Sequence, residues 1–253
     1  MQYQIQTAPI WDAYRRSDGC PLCRIFAERE NRLVSQYLAE NVMDPDFRVA
    51  SNSVGFCPDH IRAMYGGQNK LGLALQLETR AAALYELLDK TPADKKSAQK
   101  QAEKLEAHIG CVICNALAEP MSRYYMTVAE MFDNEKEFPE LFGAAHHCIK
   151  HVAQLYYAAR FAGKSVSAYL YALSAGIRRD LKQTETDLRA FADCFDFRNS
   201  GMRPNPDAVP DAIKLMITPN VKKNRISFHL CGLLLAIKKS SICSLYRISR
   251  RFL

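Results

Sequence analysis

The chain has no long apolar run. Nowhere do about 18 consecutive apolar residues occur, so no transmembrane helix is expected. Residues 1–10 show neither the basic start nor the apolar stretch of a signal peptide, which makes a reducing cytoplasm the expected compartment. Helix breakers are scarce, with 11 Gly and 11 Pro in 253 residues. At 48% hydrophobic and 24% charged, this is the composition of a soluble, helix-rich protein. No convincing alternating strand pattern appears. Catalytic signatures are missing too: there is no nucleophile elbow, phosphate loop, HExxH or dinucleotide fingerprint, so enzymatic activity is not expected.

Acid is missing from one segment. Residues 221–253 carry Lys222, Lys223, Arg225, Lys238, Lys239, Arg247, Arg250 and Arg251 and no Asp or Glu. The formal charge of +7 belongs to this basic tail, because the other 220 residues hold 26 basic and 27 acidic side chains. The body therefore exerts no bulk attraction on nucleic acid or membrane. In the tail, an apolar stretch at 226–237 precedes Lys238-Lys239. It is too short to span a bilayer but suits an anionic membrane surface, nucleic acid or another acidic partner. The abrupt change of composition after Asn220 favours an unpacked or atypical extension with no such role.

What the chain has in quantity is cysteine, nine in all, and six of these fall into two sets. Cys20, Cys23 and Cys57 stand with His60; Cys111, Cys114 and Cys148 stand with His151. Both sets read C-x2-C-x33-C-x2-H, and the second lies 91 residues after the first. Gly19 and Gly110, Ala27-Glu28 and Ala118-Glu119, Phe47 and Phe138, and Tyr65 and Tyr156 match at the same offset. A duplicated unit accounts for this.

Each unit reads as helices around a ligand quartet. Ile25, Phe26, Leu33, Tyr37 and Leu38 form an amphipathic run that Met43-Asp44-Pro45 breaks. Cys57-Pro58 opens a helix through Tyr65, stopped by Gly66-Gly67. Leu77, Ala81, Leu84 and Leu88 mark a further helix face. In the second unit Val166, Leu170, Leu173, Ile177, Leu181, Leu188, Phe191 and Phe195 line a long helix. The expected fold is all-α, a tandem helical repeat whose units each carry a Cys3His zinc site at helix N-termini. Its expected parts are an N-terminal helix (1–18), a first zinc-binding repeat (19–90) and a charged linker and lead-in helix (91–108). A second zinc-binding repeat (109–198), a C-terminal segment (199–220) and the basic tail (221–253) follow.

The chemistry follows from the spacing. Two sulfurs three residues apart at a helix start can converge on one cation, and the free N–H groups of the first turn favour thiolate, the form that binds metal. Pro21 suits that turn because its missing N–H has no partner to lose. Three cysteines and a histidine make a closed tetrahedral site with no position for substrate, so two structural zinc ions per chain are expected; iron–sulfur clusters fit this set less well. Cys20 and Cys23 could also share a metal with Cys148 and His151, but the equal gaps favour closure within each repeat.

Other features have plainer readings. CPLC resembles a redox dithiol, but the βαβ setting is missing and a redox pair needs no companion CxxH. His146 and His147 are expected not to be ligands, since the first unit has Gly55 and Phe56 there. His108 reads as a helix-surface residue, and Cys194, Cys231 and Cys243 as ordinary thiols. Trp11, with Ile10 and Tyr14, reads as an N-terminal helix packed on the core. Tyr124, Tyr125, Tyr156, Tyr157, Phe161, Tyr169 and Tyr171 read as core rather than pocket.

The paired CxxC…CxxH motifs resemble those of an uncharacterised bacterial family. Its members share a segment like Phe195-Asp196-Phe197-Arg198-Asn199 and a stretch like Asp207-Ala208-Val209-Pro210-Asp211-Ala212-Ile213. The resemblance spans roughly residues 11–215 and implies a zinc-bearing helical protein of unknown function. Some members are labelled transporter substrate-binding proteins, for which this chain has neither an export signal nor a bilobal α/β pattern. It departs from the family pattern at Ser200-Gly201-Met202-Arg203-Pro204, and its tail lies outside the resemblance. The expected role is a non-catalytic binding scaffold with an unknown protein partner. A thiol or metal sensor using the same cysteines is the rival, and nucleic-acid or membrane-surface binding through the tail is a third reading.

Overall fold

Four helices begin in the same way. Cys20, Cys57, Cys111 and Cys148 are the N-cap residues of α2 (Pro21–Leu38), α4 (Pro58–Gly66), α7 (Val112–Asn134) and α9 (Ile149–Ala158). Cys23, His60, Cys114 and His151 then fall three residues later, at the end of the first helical turn. Pro21 and Pro58 occupy the first helical position, where their fixed φ suits the turn. The computed structural model describes residues 7–16, 18–196 and 203–216.

The remaining helices are α1 (Thr7–Tyr14), α3 (Pro45–Val54), α5 (Lys70–Leu87), α6 (Lys95–Ala107), α8 (Phe138–Ala144), α10 (Val166–Asp193) and α11 (Ala208–Met216). Among the described residues these eleven helices are joined by turns, and there is no strand. The all-α class is thus as composition and periodicity predict. Ordinary caps start three of them: Asp44 accepts from Asp46 N at 2.9 Å, Asn69 from Gly72 N at 2.8 Å, and Asp94 closes a capping box with Ser97. Helix starts recur at the sequence offset, Pro21 with Val112 and Pro58 with Ile149, each 91 apart.

The hydrophobic core has two parts, and they do not follow the two halves of the chain. The larger gathers Ile10 and Tyr14 of α1 with Tyr124, Val128, Phe132, Phe138, Phe142, Leu155, Tyr169 and Leu173, and it also holds Leu22 and Ile25 from the start of α2. The smaller gathers Tyr37, Leu38, Met64 and Leu73 with Val112, Ile113 and Leu117 from the start of α7. α2 therefore runs from the larger core to the smaller and α7 runs the other way. Each plants its first turn among helices of the opposite half. Arg29 on α2 ties the crossing by donating to Tyr124 Oη on α7 at 2.9 Å. Phe26 packs against both cores.

α1 docks as its apolar residues predict, with Trp11 edge-on to Phe138 at 5.4 Å. The aromatic group divides: Tyr124, Tyr125 and Tyr169 are buried, whereas Tyr156, Tyr157 and Tyr171 are exposed. The stripe Leu77, Ala81, Leu84, Leu88 is not a core face. α5 buries Gly72, Leu73 and Gln76 on its N-terminal half, and Leu77 and Leu88 are exposed.

Phe142 is 1% exposed and its ring meets Phe132 at 5.2 Å, Tyr169 at 5.0 Å and His147 at 5.1 Å. Phe142→Ala should cost about 3–5 kcal/mol in a urea titration. Tyr171→Ala, on an exposed face of α10, should stay within about 0.5 kcal/mol.

Candidate metal centres

The crossing of α2 and α7 decides which side chains meet. Cys20 and Cys23, at the start of α2, lie with Cys148 and His151 at the start of α9; Cys57 and His60 of α4 lie with Cys111 and Cys114 of α7. Within each quartet every ligand atom is within 4.8 Å of every other. All eight predicted residues are thus brought together as two quartets of three cysteines and one histidine. Closure within each repeat is overturned, because each quartet joins the CxxC of one half to the CxxH of the other. The physical cause is that α2 and α7 bury their first turns in the opposite core.

The geometry suits a single tetrahedral ion. Bonds of about 2.3 Å to sulfur and about 2.0 Å to nitrogen put ligands roughly 3.5–3.8 Å apart. In the α2–α9 centre Cys23 Sγ is 3.5 Å from Cys148 Sγ, and His151 Nδ1 is 3.3, 3.3 and 3.2 Å from the sulfurs of Cys20, Cys23 and Cys148. In the α4–α7 centre Cys57 Sγ is 3.9 Å from Cys114 Sγ, and His60 Nδ1 is 3.1, 3.1 and 3.4 Å from Cys57, Cys111 and Cys114. Nδ1 faces the sulfurs in both. The chain approach to Cys111 is set by two backbone bonds, Gly110 N to Val54 O at 2.9 Å and Val112 N to Gly55 O at 3.0 Å. A Cβ on Gly110 would fall 2.7 Å from Val54 Cγ1, so any side chain here would push Val54 aside.

The two centres differ around the histidine. His60 Nε2 lies 2.9 Å from Glu30 Oε1, the carboxylate–imidazole pair that orients a metal-bound histidine. His151 Nε2 is buried with no hydrogen-bond partner. The position 91 residues after Glu30 is the buried Met121, which offers no such acceptor. Glu30 was not singled out in the sequence. Its signal was its register, two residues beyond the Glu28 that does recur, on the face of α2 that meets α4. Glu28 and Glu119 themselves are exposed.

Neighbouring histidines take other roles. His147 is buried, with Nε2 3.0 Å from Tyr14 Oη, and burial pulls its pKa down to about 4. His146 Nδ1 lies 3.0 Å from Asp180 Oδ1. Neither belongs to a quartet. His108 caps α6 and reaches Lys104 O at 2.8 Å. Cys194 lies outside both quartets, 3.2 Å from Ala190 O. Cys231, Cys243, the tail 221–253 and most of the segment 195–199 lie outside the described residues.

When protons rather than a metal occupy the α4–α7 quartet, they are held unevenly. Hydrogen bonds from Cys114 and His60 hold the Cys111 thiol down to about 3, against the penalty of burial. Burial opposes charge on His60, but its bonds to Cys111 and Glu30 prevail and raise it to about 10. The proton shared with Cys111, together with burial, drives Cys114 well upward. In the α2–α9 quartet Cys148 is driven far down by its bonds to Cys20 and Cys23, and His151 rises to about 9, bonds to Cys148 and Cys20 overcoming burial. Once those protons leave, each quartet is an anionic well that a dication would fill.

The chain belongs to a family of unknown function (DUF6062), whose model matches residues 1–222. No curated protein and no solved structure matches it. This is a helical protein of a family without an assigned function, with two Cys/His quartets that could each hold a metal ion.

Two outcomes test the centres. Cys20→Ser/Cys57→Ser should remove both bound metals, and Cys20→Ser/Cys148→Ser only one; closure within each repeat gives the opposite counts, read by elemental analysis. Near pH 7, filling the α4–α7 quartet must expel the protons of His60 and Cys114. Its metal affinity should therefore fall at least about 100-fold per unit of acidification. Calorimetry in buffers of different ionisation enthalpy would count the released protons, and fewer than two would contradict the assignment.

Proposed function

We propose that this protein is a non-catalytic scaffold in which two zinc ions clip its halves together so that it can bind a protein partner. The observation that carries the reading is the reciprocal pairing of the quartets, in which neither half owns a complete set of ligands. Ligand type supports zinc, since three thiolates and an imidazole satisfy a d10 dication that has no geometric demand beyond four contacts. The spacing within each quartet supports one ion over an iron–sulfur cluster, which spreads its cysteines over several metal atoms. Four protein ligands leave no open position for water or substrate, and this supports a structural over a catalytic role. Leu71, Leu77, Tyr85 and Leu88 at the surface of α5 support the binding half of the reading.

Elemental analysis of untagged chain, purified without added metal, tests this. Close to two zinc ions per chain is expected. Chelation should then lower the thermal midpoint by ~10 °C or more, because a chain of this size loses ~2–4 °C for each kcal/mol. Iron in place of zinc would turn the reading toward electron transfer or sensing. A metal-free chain of unchanged stability would overturn it.

A further inference from the structure

The two centres share a ligand set but not an environment. In the α4–α7 centre, Glu30 holds the far nitrogen of His60. Its cysteines, Cys57, Cys111 and Cys114, are all buried or half-buried. In the α2–α9 centre, the far nitrogen of His151 has no partner inside the protein, and Cys23 lies at the surface. A carboxylate behind a metal-bound imidazole fixes its tautomer and strengthens it as a donor; losing it typically costs 10–100-fold in affinity. Solvent also gives exchanging ligands and oxidants access to a metal–thiolate bond.

We infer that the Cys20/Cys23/Cys148/His151 centre is a peroxide-responsive site whose metal leaves while the other is retained, and that a Cys23–Cys148 disulfide takes that metal's place. This rests on the reading that both centres hold zinc. The partners follow from position, Cys23 being the exposed residue of the quartet and its sulfur lying 3.5 Å from Cys148 Sγ. The Cys23 thiolate attacks one oxygen of hydrogen peroxide, the O–O bond breaks and hydroxide leaves, giving the sulfenic acid. The Cys148 thiolate attacks that sulfur, the S–S bond forms and a second hydroxide leaves. Two thiolates have then lost two electrons to one peroxide, and zinc has passed to solution. The new bond joins the starts of α2 and α9, the two elements that the metal joined. Oxidation therefore exchanges one clip for another across the same junction, and the junction stays closed.

The test uses the full zinc-loaded chain, its two ions verified by elemental analysis beforehand; a chain without zinc at that step would fail the function reading and not this one. A small excess of hydrogen peroxide is added with a chromophoric chelator present, and the oxidised chain is mapped by peptide mass spectrometry. One zinc should leave at least about 10-fold faster than the other, with a Cys23–Cys148 linkage. Glu30→Ala should speed release of the second zinc by about 10–100-fold and leave the first unchanged. Cys57→Ser, left with the α2–α9 ion, should release it at the fast rate. Equal release of both ions, a first disulfide among Cys57, Cys111 and Cys114, or a Cys20–Cys23 linkage would each overturn the inference.

Discussion

The structure depends on the antiparallel crossing of α2 and α7. Each helix starts in one hydrophobic core and ends in the other, and each start carries a CxxC pair. Everything specific to the metal centres follows from that. A cysteine at an N-cap position is a poor cap by itself, and at Cys20, Cys57 and Cys148 no side-chain capping bond forms. Those helix starts are arranged to present sulfur and imidazole outward from the first turn. The turn's free N–H groups and the convergence of four ligands favour negative charge there. The crossing then brings the starts of helices from opposite halves face to face.

Helical class, eight ligand-type residues and their grouping in pairs at helix starts were all legible in the sequence, because each is local. Spacing by three puts two side chains on one turn, and Pro21 and Pro58 mark where that turn begins. Which pair meets which was not legible. The two equal 33-residue gaps suggest closure within each half, but a duplication leaves the same gaps whichever way the quartets close. The decision lies in long-range burial of Leu22, Ile25, Val112, Ile113 and Leu117, whose apolar character is the same whichever core receives them. Glu30 escaped for a similar reason: its role depends on α4 lying against α2. The α5 stripe shows the reverse case, a clear helical period that faces solvent.

The histidine environments carry a further lesson about duplicated sites. The ligands recur at one offset, but the residue behind the imidazole does not, being Glu30 in one half and Met121 in the other. A ligand set is under a strict geometric constraint, whereas its support is under a graded one. The centres keep the same first contacts while differing in how firmly those contacts are held. Burying an imidazole N–H without an acceptor costs on the order of 1–3 kcal/mol, a tolerable amount where a metal bonded to Nδ1 would fix the ring from its other side.

The magnitudes show that loop closure is no bar to crossed pairing. Closing a loop costs about (3/2)RT ln n, so what matters is the ratio of loop lengths. Cys23 and Cys148 are 125 residues apart and His60 and Cys111 are 51 apart. Against two loops of 33 residues, the crossed arrangement costs about 1.5 kcal/mol more in total. That is an upper figure, since the inner closure shortens the outer loop. Burying one Leu or Ile side chain returns ~1.5–3 kcal/mol, and the two helix starts bury five apolar side chains in the cores they enter. Losing even one of those burials would outweigh the whole difference in loop closure. A metal in either quartet would therefore join helix ends that packing has already brought together, and proximity along the chain has little say in the outcome.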